Sequence, residues 1–451
     1  MNAARLFRNS FSVENIQNVF STKLSGTRAI GLDRVDADKF ENQLTAECEI
    51  ISRKVLAGTY NFTAYKEKLI SKGSGKAPRQ LAIPTIRDRL TLRVICNLLF
   101  EIFPGAKPLL PQDQISKVRD AIASDKYSNF VKIDLKDFYP SIDHKLLMRR
   151  IGRKTRLKQF KDLIHKSLVN PVVAQGRSKG SQVSTCGVAQ GLSISNVLAE
   201  IFMQDIDVQL ANSDFSYCRF VDDILILTSG DPRALCEQVC KVLRQSKLNP
   251  HFLDAFESKT RIGKVIDGFD FLGYQMMPNK IGCREKTVLA FESSIVEVFA
   301  DYAHRNRVAK TALEKEQVLF RFRWALNLKL TGCIYKNRRF GWIFYYSQID
   351  DTSILRRIDK TVVKLITRFN VATPPKPKTL VKSFHEAKRS NKTDHRYIPN
   401  YDSMDVDKMR NLLKSIGQKV DSFNDVEVCF AFHRLIRKAT QKLDKDISHM
   451  S

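Results

Sequence analysis

The stretch CRFVDDILIL, Cys218 to Leu227, places two adjacent aspartates, Asp222 and Asp223, inside a run of mostly apolar residues. Branched apolar residues on both sides are typical of buried β-strands. Neighbouring carboxylates repel each other, and removing them from water costs free energy. An exposed turn would explain a lone pair of aspartates, because Asp is common in turns. The apolar flanks instead favour two short strands joined at the aspartates.

A second aspartate-bearing strand precedes this stretch. NFVKIDLKDFYPSIDH, Asn129 to His144, alternates apolar residues up to Leu135 and carries Asp134 and Asp137. If the two strands are neighbours in one sheet, Asp134 and Asp222 meet at its edge. Converging carboxylates need a compensating charge, which a pair of Mg²⁺ ions supplies. Two such ions can clamp the attacking and leaving oxygens of a phosphoryl transfer.

The composition favours a polyanionic partner. The chain has 451 residues, of which 43% are hydrophobic and 27% charged, and a net charge of +27. This excess indicates nucleic acid first and an anionic membrane second. No uncharged apolar run reaches the roughly 18 residues that span a bilayer, and the N-terminal residues lack the apolar core of a signal peptide. We therefore expect a cytoplasmic, globular protein without a membrane partner.

The order of predicted elements is mixed helix and strand up to about residue 285 and helical from there to the end. A Pro-rich break, Val371 to Phe384, interrupts the helical part. The nine cysteines have no zinc-finger spacing, so we expect buried, reduced thiols.

Six short motifs resemble those of reverse transcriptases and follow one another in that family's order. FVDD, Phe220 to Asp223, resembles the x-x-Asp-Asp signature, and KIDLKDFYPSI resembles the first catalytic motif. The other four are KAPRQLAIPTIRDRL (fingers), VAQGLSISN, LNPHFLDAFESKT and FLGY (primer grip). In VAQGLSISN, Ala189 and Asn196 stand where the family has prolines, which leaves Gln190 and Gly191 intact. The series covers about residues 25 to 285.

The resemblance implies an α+β fold, a right-hand polymerase with fingers and palm, an α-helical thumb and a C-terminal extension. The expected divisions are 1–128 for the N-terminal helices and fingers, 129–285 for the palm with part of the fingers at 145–185, 286–370 for the helical thumb, and 371–451 for a basic helical extension. The implied activity is RNA-directed DNA polymerisation, with an RNA template, dNTPs and a DNA product.

The same resemblance assigns roles to single residues. Asp134, Asp222 and Asp223 would be the catalytic residues and the ligands of two Mg²⁺ ions. Tyr139 would be the steric gate against a ribose 2′-OH. Nucleotide-binding candidates are Lys76, Arg79, Arg87 and Arg89 for the triphosphate, Gln190 beneath the nucleotide, and Lys259 for protonating pyrophosphate. Gly191 and Gly273 would allow close approach of the nucleic acid, since Gly lacks a Cβ.

RFRWALNLKLTGCIYKNRRFGWIFYYSQIDD, Arg321 to Asp351, interleaves basic and aromatic residues. Such a pattern suits phosphates and unpaired bases, and it also suits a helical core with a basic outer face. Candidate contacts to nucleic acid are Arg323, Trp324, Lys336, Arg338, Arg339 and Trp342. The stretch resembles the thumb of bacterial reverse transcriptases of the unknown groups, relatives of retron and group II intron enzymes. Class 2 defence-associated enzymes, which copy a partner non-coding RNA against phage, are the nearest type.

Three alternatives stay open at this point. RNA-directed RNA synthesis is disfavoured by Val221, where such enzymes carry Gly, and by the bulky Tyr139. A maturase-like RNA-binding protein would not need three intact aspartates. Template-independent or protein-primed DNA synthesis, as in abortive-infection relatives, is compatible with the motifs. The sequence leaves the template, the primer and the oligomeric state undetermined.

Overall fold

The computed structural model describes residues 3–25, 27, 29–71, 77–174, 185–211, 214–255, 258–371, 377–389 and 397–448. The chain divides into two compact units. The first unit comprises residues Met1–Leu109 and Tyr127–Gly263, and the second comprises Leu110–Lys126 and Lys264–Ser451. Among the described helices, none combines the length and the apolar character that crossing a bilayer requires.

Helices are the most frequent element in both units. In chain order they are α1 Ala3–Ser10, α2 Val13–Val19 (continued by a π-helical turn, Phe20–Leu24), α3 Ala37–Glu41, α4 Leu44–Leu56, α5 Ile86–Ile102, α6 Pro111–Ala123, α7 Phe138–Ser141, α8 His144–Lys154, α9 Lys158–Leu168, α10 Ser195–Ala211, α11 Pro232–Gln245, α12 Glu285–Val308, α13 Ala312–Thr331, α14 Trp342–Tyr345, α15 Ser353–Arg368, α16 Leu380–Ala387, α17 Val406–Ser415 and α18 Asp425–Ser448. Short 3₁₀ turns cover Pro104–Ala106 and Val265–Asp267.

The strands form four small sheets. In chain order they are β1 Tyr65–Ile70, β2 Arg79–Ile83, β3 Asn129–Lys136, β4 Val172–Val173, β5 Ser216–Phe220, β6 Asp223–Thr228, β7 Asn249–Pro250, β8 Arg261–Lys264, β9 Phe269–Phe271, β10 Tyr274–Met277, β11 Lys280–Cys283, β12 Cys333–Tyr335 and β13 Arg338–Phe340. The sheet orders are β2-β1-β4, β5-β6-β3-β7 with β8 also paired to β3, β11-β10-β9, and β12-β13.

The central sheet of the first unit consists of strands β5, β6, β3 and β7 in antiparallel arrangement. Strand β3 alternates as expected, with Val131, Ile133 and Leu135 buried and Asp134 half-buried. Strand β6 differs, because all four residues from Ile224 to Leu227 are buried. A strand that is buried on both faces has consecutive apolar residues, which explains the sequence ILIL from Ile224 to Leu227.

Helices α1, α2, α4, α5 and α10 share one core with this sheet. The start of α5 is fixed by Asp88, which is 1% exposed. Its carboxylate accepts hydrogen bonds from the Tyr60 hydroxyl at 2.7 Å, the Thr63 amide at 3.0 Å and the Thr85 hydroxyl at 2.9 Å. Burial raises the pKa of Asp88, and these three donors oppose that rise. The donors compensate a charge that would be costly to bury alone.

The second unit is built around α12, α13 and the helices that follow. Helix α13 begins with a capping box, in which Thr311 and Glu314 satisfy each other's backbone amides. Strands β9, β10 and β11 form a three-stranded antiparallel meander. A separate core gathers residues of α13, β12, β13, α17 and α18.

The expectation that the chain is helical throughout its last third is wrong at residues 333–340. Strands β12 and β13 form an antiparallel hairpin there, with Lys336 and Asn337 in the turn at φ 52° and 55°. The backbone amides of both turn residues donate to the Asp402 carboxylate, at 2.6 and 2.8 Å. Two glycines make the hairpin possible, because a Cβ on Gly341 would lie 2.6 Å from the Gly332 Cα.

Gly332→Ala tests this arrangement. Gly332 has a φ of +65°, and an added Cβ would overlap the Phe340 carbonyl oxygen. Both effects disfavour alanine, so we expect a loss of more than about 2 kcal/mol in unfolding free energy, measured as a lower melting temperature. The matched control is Gly152→Ala in α8, where a Cβ meets nothing within 4 Å. That change should stabilise the helix by up to about 1 kcal/mol. Equal melting of the two variants would contradict the interpretation.

Candidate active site

The two aspartate-bearing strands are direct neighbours, as the sequence predicts. Strand β3 pairs antiparallel with β6, and Asp134 lies opposite Asp223 in the register. Strands β5 and β6 form a hairpin in which Phe220 pairs with Asp223, so Val221 and Asp222 make the turn. The structure therefore brings Asp134, Asp222 and Asp223 to one end of the sheet.

The surroundings of Asp222 and Asp223 disfavour the charged forms of both carboxylates. Burial, followed by Asp222 and Asp134, raises the pKa of Asp223 to about 6, while Lys132 opposes the rise. The pKa of Asp222 is also raised, by burial first and then by Asp134, against its own backbone amide, Lys259 and Arg79. Repulsion between carboxylates explains why each charge disfavours the next.

A histidine and a lysine lie beside the third carboxylate. The Asp134 Oδ2 atom lies 3.2 Å from His251 Nε2 and 3.4 Å from Lys259 Nζ. The His251 amide also donates to the Asp134 carbonyl at 3.0 Å, which ties the residue after β7 to the end of β3. Lys259, predicted from its motif, thus lies beside the aspartates, although its side chain is 67% exposed.

The donor set fits a divalent ion in its chemistry. Within the described ranges, no three His, Cys, Asp or Glu side chains are already arranged to hold a metal. Asp134 is turned toward Lys259 and His251 instead. Carboxylate oxygens are nevertheless the ligands that Mg²⁺ prefers, and the raised pKa values of Asp222 and Asp223 indicate an unmet need for positive charge.

Arg219 supports the aspartate turn from inside the protein. Its side chain is 7% exposed and forms ion pairs with Glu200 at 2.6 Å and Asp207 at 2.7 Å, both on α10. The Tyr217 hydroxyl donates to the same Asp207 at 2.8 Å. Burial lowers the pKa of Arg219, but the hydrogen bonds that its guanidinium donates to Asp207 and Glu200 outweigh burial and raise the pKa overall. Arg219 also donates to the Val221 carbonyl at 3.0 Å.

Tyr139 lies close to the aspartates. Its pKa is raised by burial and then by the charges of Asp222 and Glu200. The hydroxyl donates to Asn196 Oδ1 at 2.8 Å. Asn196 is one of the two departures from the family motif, and it thus fixes the orientation of the tyrosine hydroxyl.

The VAQG segment forms the next wall of the site. The Val188 amide donates to the Tyr139 carbonyl at 2.8 Å, and the Ala82 amide of β2 donates to the Gln190 carbonyl at 2.7 Å. Gly191 has a φ of +98°, and a Cβ there would lie 3.0 Å from the Ala82 carbonyl oxygen. Glycine is therefore required for both conformation and space. The segment links strand β2 to the turn after β3.

The cationic candidates of the fingers segment differ in their surroundings. Arg79, at the start of β2, is exposed and lowers the pKa values of Asp222 and Tyr139, so it faces the site. Arg87 is paired with Glu47 at 2.5 and 2.6 Å. Arg89 is half-buried and donates to the Pro84 carbonyl at 3.2 Å. Lys76 lies outside the described residues.

The remaining candidates lie in the second unit. Trp342 is 1% exposed, and its ring stacks on Phe291 at 4.7 Å, so the prediction that it contacts nucleic acid is wrong. Trp324 is half-buried and donates to the Tyr401 hydroxyl at 2.8 Å. Gly273 is buried, and a Cβ there would overlap the Tyr346 hydroxyl. The other basic candidates are Arg323, which is half-buried, and Lys336, Arg338 and Arg339, which are exposed.

Sequence reasoning missed three residues of the site, Glu200, Arg219 and His251. The weak signals for them were present. A basic residue between apolar and aromatic residues of a strand needs a partner, and Glu200 and Asp207 lie seven residues apart, on one face of a helix. His251 directly follows β7 inside the LNPHFLDAFESKT motif.

Paired carboxylates at the end of an antiparallel sheet, with a half-buried tyrosine and exposed cations nearby, have the chemistry that a nucleotidyltransferase requires. The particular family follows from comparison with known proteins. Residues 70–276 match the family described as "Reverse transcriptase (RNA-dependent DNA polymerase)". The chain therefore contains a reverse transcriptase domain, and by this domain it is an RNA-directed DNA polymerase. The α+β fold expected from the sequence is confirmed.

Several curated proteins are similar to this chain. Protein YkfC of Escherichia coli (strain K12) is 24% identical over 313 residues, which cover 59% of this chain and 80% of YkfC. The group II intron-encoded protein LtrA of Lactococcus lactis subsp. cremoris is 26% identical over 200 residues, 42% of this chain and 32% of LtrA. A telomerase from Candida albicans, solved with a fragment of telomeric RNA, has a TM-score of 0.43 and 13% identity, over 89% of this chain and 66% of the telomerase.

Asp222→Asn combined with Asp223→Asn tests the catalytic assignment. We expect polymerisation on a primed template to fall at least about a thousandfold, equivalent to about 4 kcal/mol in the barrier. The melting temperature should not fall, because two under-compensated charges are replaced by neutral amides. Asp120→Asn, whose side chain is 70% exposed in its pair with Arg119, is the matched control and should keep full activity. Mg²⁺-dependent synthesis by the double variant would refute the assignment.

Proposed function

We propose that this protein copies a dedicated, structured non-coding RNA into DNA, and that it acts in bacterial anti-phage defence. The observation that supports the polymerase chemistry is the meeting of Asp134, Asp222 and Asp223 at one end of the sheet. The defence role rests on the resemblance of the chain to bacterial reverse transcriptases of the unknown groups. A net charge of +27 is consistent with an RNA partner.

Asp134, Asp222 and Asp223 are proposed to hold two Mg²⁺ ions. When bound, the ions would lower the pKa of the primer hydroxyl and stabilise the pyrophosphate leaving group. The chain itself contributes rigidity, because Asp134 and Asp223 lie on paired strands whose apolar residues are buried, and Asp222 lies in the turn that joins two of these strands. Fixed geometry of this kind is the main source of catalysis in phosphoryl transfer.

The incoming dNTP is proposed to lie between Tyr139, Gln190 and the cations Arg79 and Lys259. Arg79 would balance the charge of the triphosphate, and Lys259 would donate a proton to pyrophosphate. The Tyr139 ring would close against a 2′-OH and so favour deoxynucleotides. The influence of Asp222 and Arg79 on the pKa of Tyr139 supports this arrangement.

Tyr139→Ala should weaken the preference for deoxynucleotides over ribonucleotides. Without the ring, a 2′-OH has room, so we expect the ratio of kcat/KM for dNTP to that for rNTP to fall at least about tenfold, or about 1.4 kcal/mol. Tyr139→Phe is the control, because it keeps the ring and loses the bond to Asn196. An alanine variant that discriminates as well as the wild type would refute the gate.

In the second unit, exposed cations of the β12–β13 hairpin are proposed to contact the RNA backbone. Lys336, Arg338 and Arg339 are exposed there, and Arg323 and Trp324 of α13 are half-buried. Each such phosphate contact would release counterions, so binding should weaken with salt. The predicted divisions into fingers, palm, thumb and extension, at 128, 285 and 370, are kept as part of this proposal.

The template can be identified by purifying the protein from its host and sequencing the RNA and DNA that accompany it. We expect one dominant structured RNA together with DNA complementary to it. The Asp222→Asn, Asp223→Asn variant is the control, and it should retain the RNA and lack the DNA. A random sample of cellular RNA would contradict the dedicated template. DNA without any complementary RNA would favour template-independent synthesis instead.

A further inference from the structure

The turn that carries Asp222 is held by a single guanidinium. Arg219 uses all five of its N–H groups. Nε and Nη2 donate to Asp207 Oδ1 and Oδ2 at 2.8 and 2.7 Å, and Nη2 and Nη1 donate to Glu200 Oε2 and Oε1 at 2.6 and 3.1 Å. The fifth bond runs from Nη1 to the Val221 carbonyl oxygen at 3.0 Å.

Four of these bonds have an ordinary structural explanation. Glu200 and Asp207 lie two turns apart on α10, so they present two carboxylates on one face of the helix. Arg219 lies on β5, opposite Ile224 of β6. The planar guanidinium therefore fastens the hairpin to the helix, and bidentate geometry makes such a link rigid.

The fifth bond acts on the backbone of the aspartate turn. Val221 has a φ of +56°, which costs a β-branched residue about 1–3 kcal/mol. In a planar trans peptide, the Val221 carbonyl and the Asp222 N–H point in opposite directions. Fixing the carbonyl therefore fixes the plane of the 221–222 peptide, and with it the backbone from which the Asp222 side chain extends. The position of the carboxylate thus depends on a bond made three residues earlier in the chain.

We propose that Arg219 is a positioning residue of the metal site: its bond to the Val221 carbonyl holds the 221–222 peptide in the orientation that lets Asp222 and Asp223 bind a divalent cation. Arg219 is buried behind the turn, so it acts through the backbone. This inference rests on the proposed metal role of the two aspartates.

Arg219→Lys tests the proposal by direct metal binding. A lysine has a single nitrogen, so it cannot span both carboxylates and also hold the carbonyl in the same geometry. We expect the dissociation constant for Mn²⁺, measured by calorimetry on the full chain without nucleic acid, to rise at least about tenfold, as for other residues that orient metal ligands. The Mg²⁺ concentration for half-maximal polymerisation should rise in parallel. The calorimetric signal of the Asp222→Asn, Asp223→Asn variant measures Mn²⁺ binding at other sites, and it is subtracted from the signals of the other variants.

Asp207→Asn is the matched control. It weakens two of the five bonds and leaves the donor to Val221 in place. We expect a lower melting temperature and a Mn²⁺ dissociation constant within about twofold of the wild type. If Arg219→Lys also melts earlier but binds Mn²⁺ like the wild type, Arg219 is only a structural fastener and the proposal fails.

A double variant covers the case in which Arg219→Lys does not fold. Adding Val221→Gly removes the strain at the positive φ, which should restore stability. The proposal requires this double variant to keep the weakened Mn²⁺ binding, and wild-type affinity would overturn it. Failure of the proposed metal site is distinguishable, because the wild type itself would then show no Mn²⁺ binding that depends on Asp222 and Asp223.

Discussion

Repulsion among three carboxylates is the constraint on which this structure depends. Asp134, Asp222 and Asp223 come together at one end of paired strands, and burial, followed by repulsion from Asp222 and Asp134, raises the pKa of Asp223 to about 6. On a flexible scaffold, the three carboxylates would move apart. The buried strand β6, covered on both faces, prevents that and converts hydrophobic burial into fixed charge geometry. The surrounding loops place His251 and Lys259 beside the Asp134 carboxylate.

The same scaffold connects three segments that border the aspartates. Strand β2, the VAQG segment and the turn after β3 are joined by backbone hydrogen bonds from Ala82 to Gln190 and from Val188 to Tyr139. Backbone bonds carry no side-chain identity, which explains how this segment keeps its place although Ala189 and Asn196 depart from the family motif. The departure at Asn196 supplies a hydrogen bond to Tyr139 that a proline could not make.

Much of the first unit could be predicted from the sequence, because its signals are local. The alternating apolar residues of β3 and the apolar residues on both sides of Asp222 and Asp223 identify the two strands. Once the aspartates of the two strands are placed side by side, the pairing register follows. Arg219 could not be assigned in this way, since its partners Glu200 and Asp207 lie on a different element and no local pattern links them. The hairpin at 333–340 was missed for another reason. Its two strands are three residues each, too short to show a period, and its shape depends on Gly332 and Gly341.

Trp342 illustrates the limit of reading composition as function. An aromatic residue in a basic stretch of sequence can either stack on an unpaired base or pack in the hydrophobic core. Only the packing of Trp342 against Phe291 decides between the two. The neighbouring β12–β13 hairpin, in contrast, is held in place by its backbone. Its tip is held by main-chain amides of Lys336 and Asn337 on Asp402, and its base by contact between two glycines. Because these anchors are independent of the side chains at the tip, the charge displayed there can change between related proteins while the backbone that presents it stays the same.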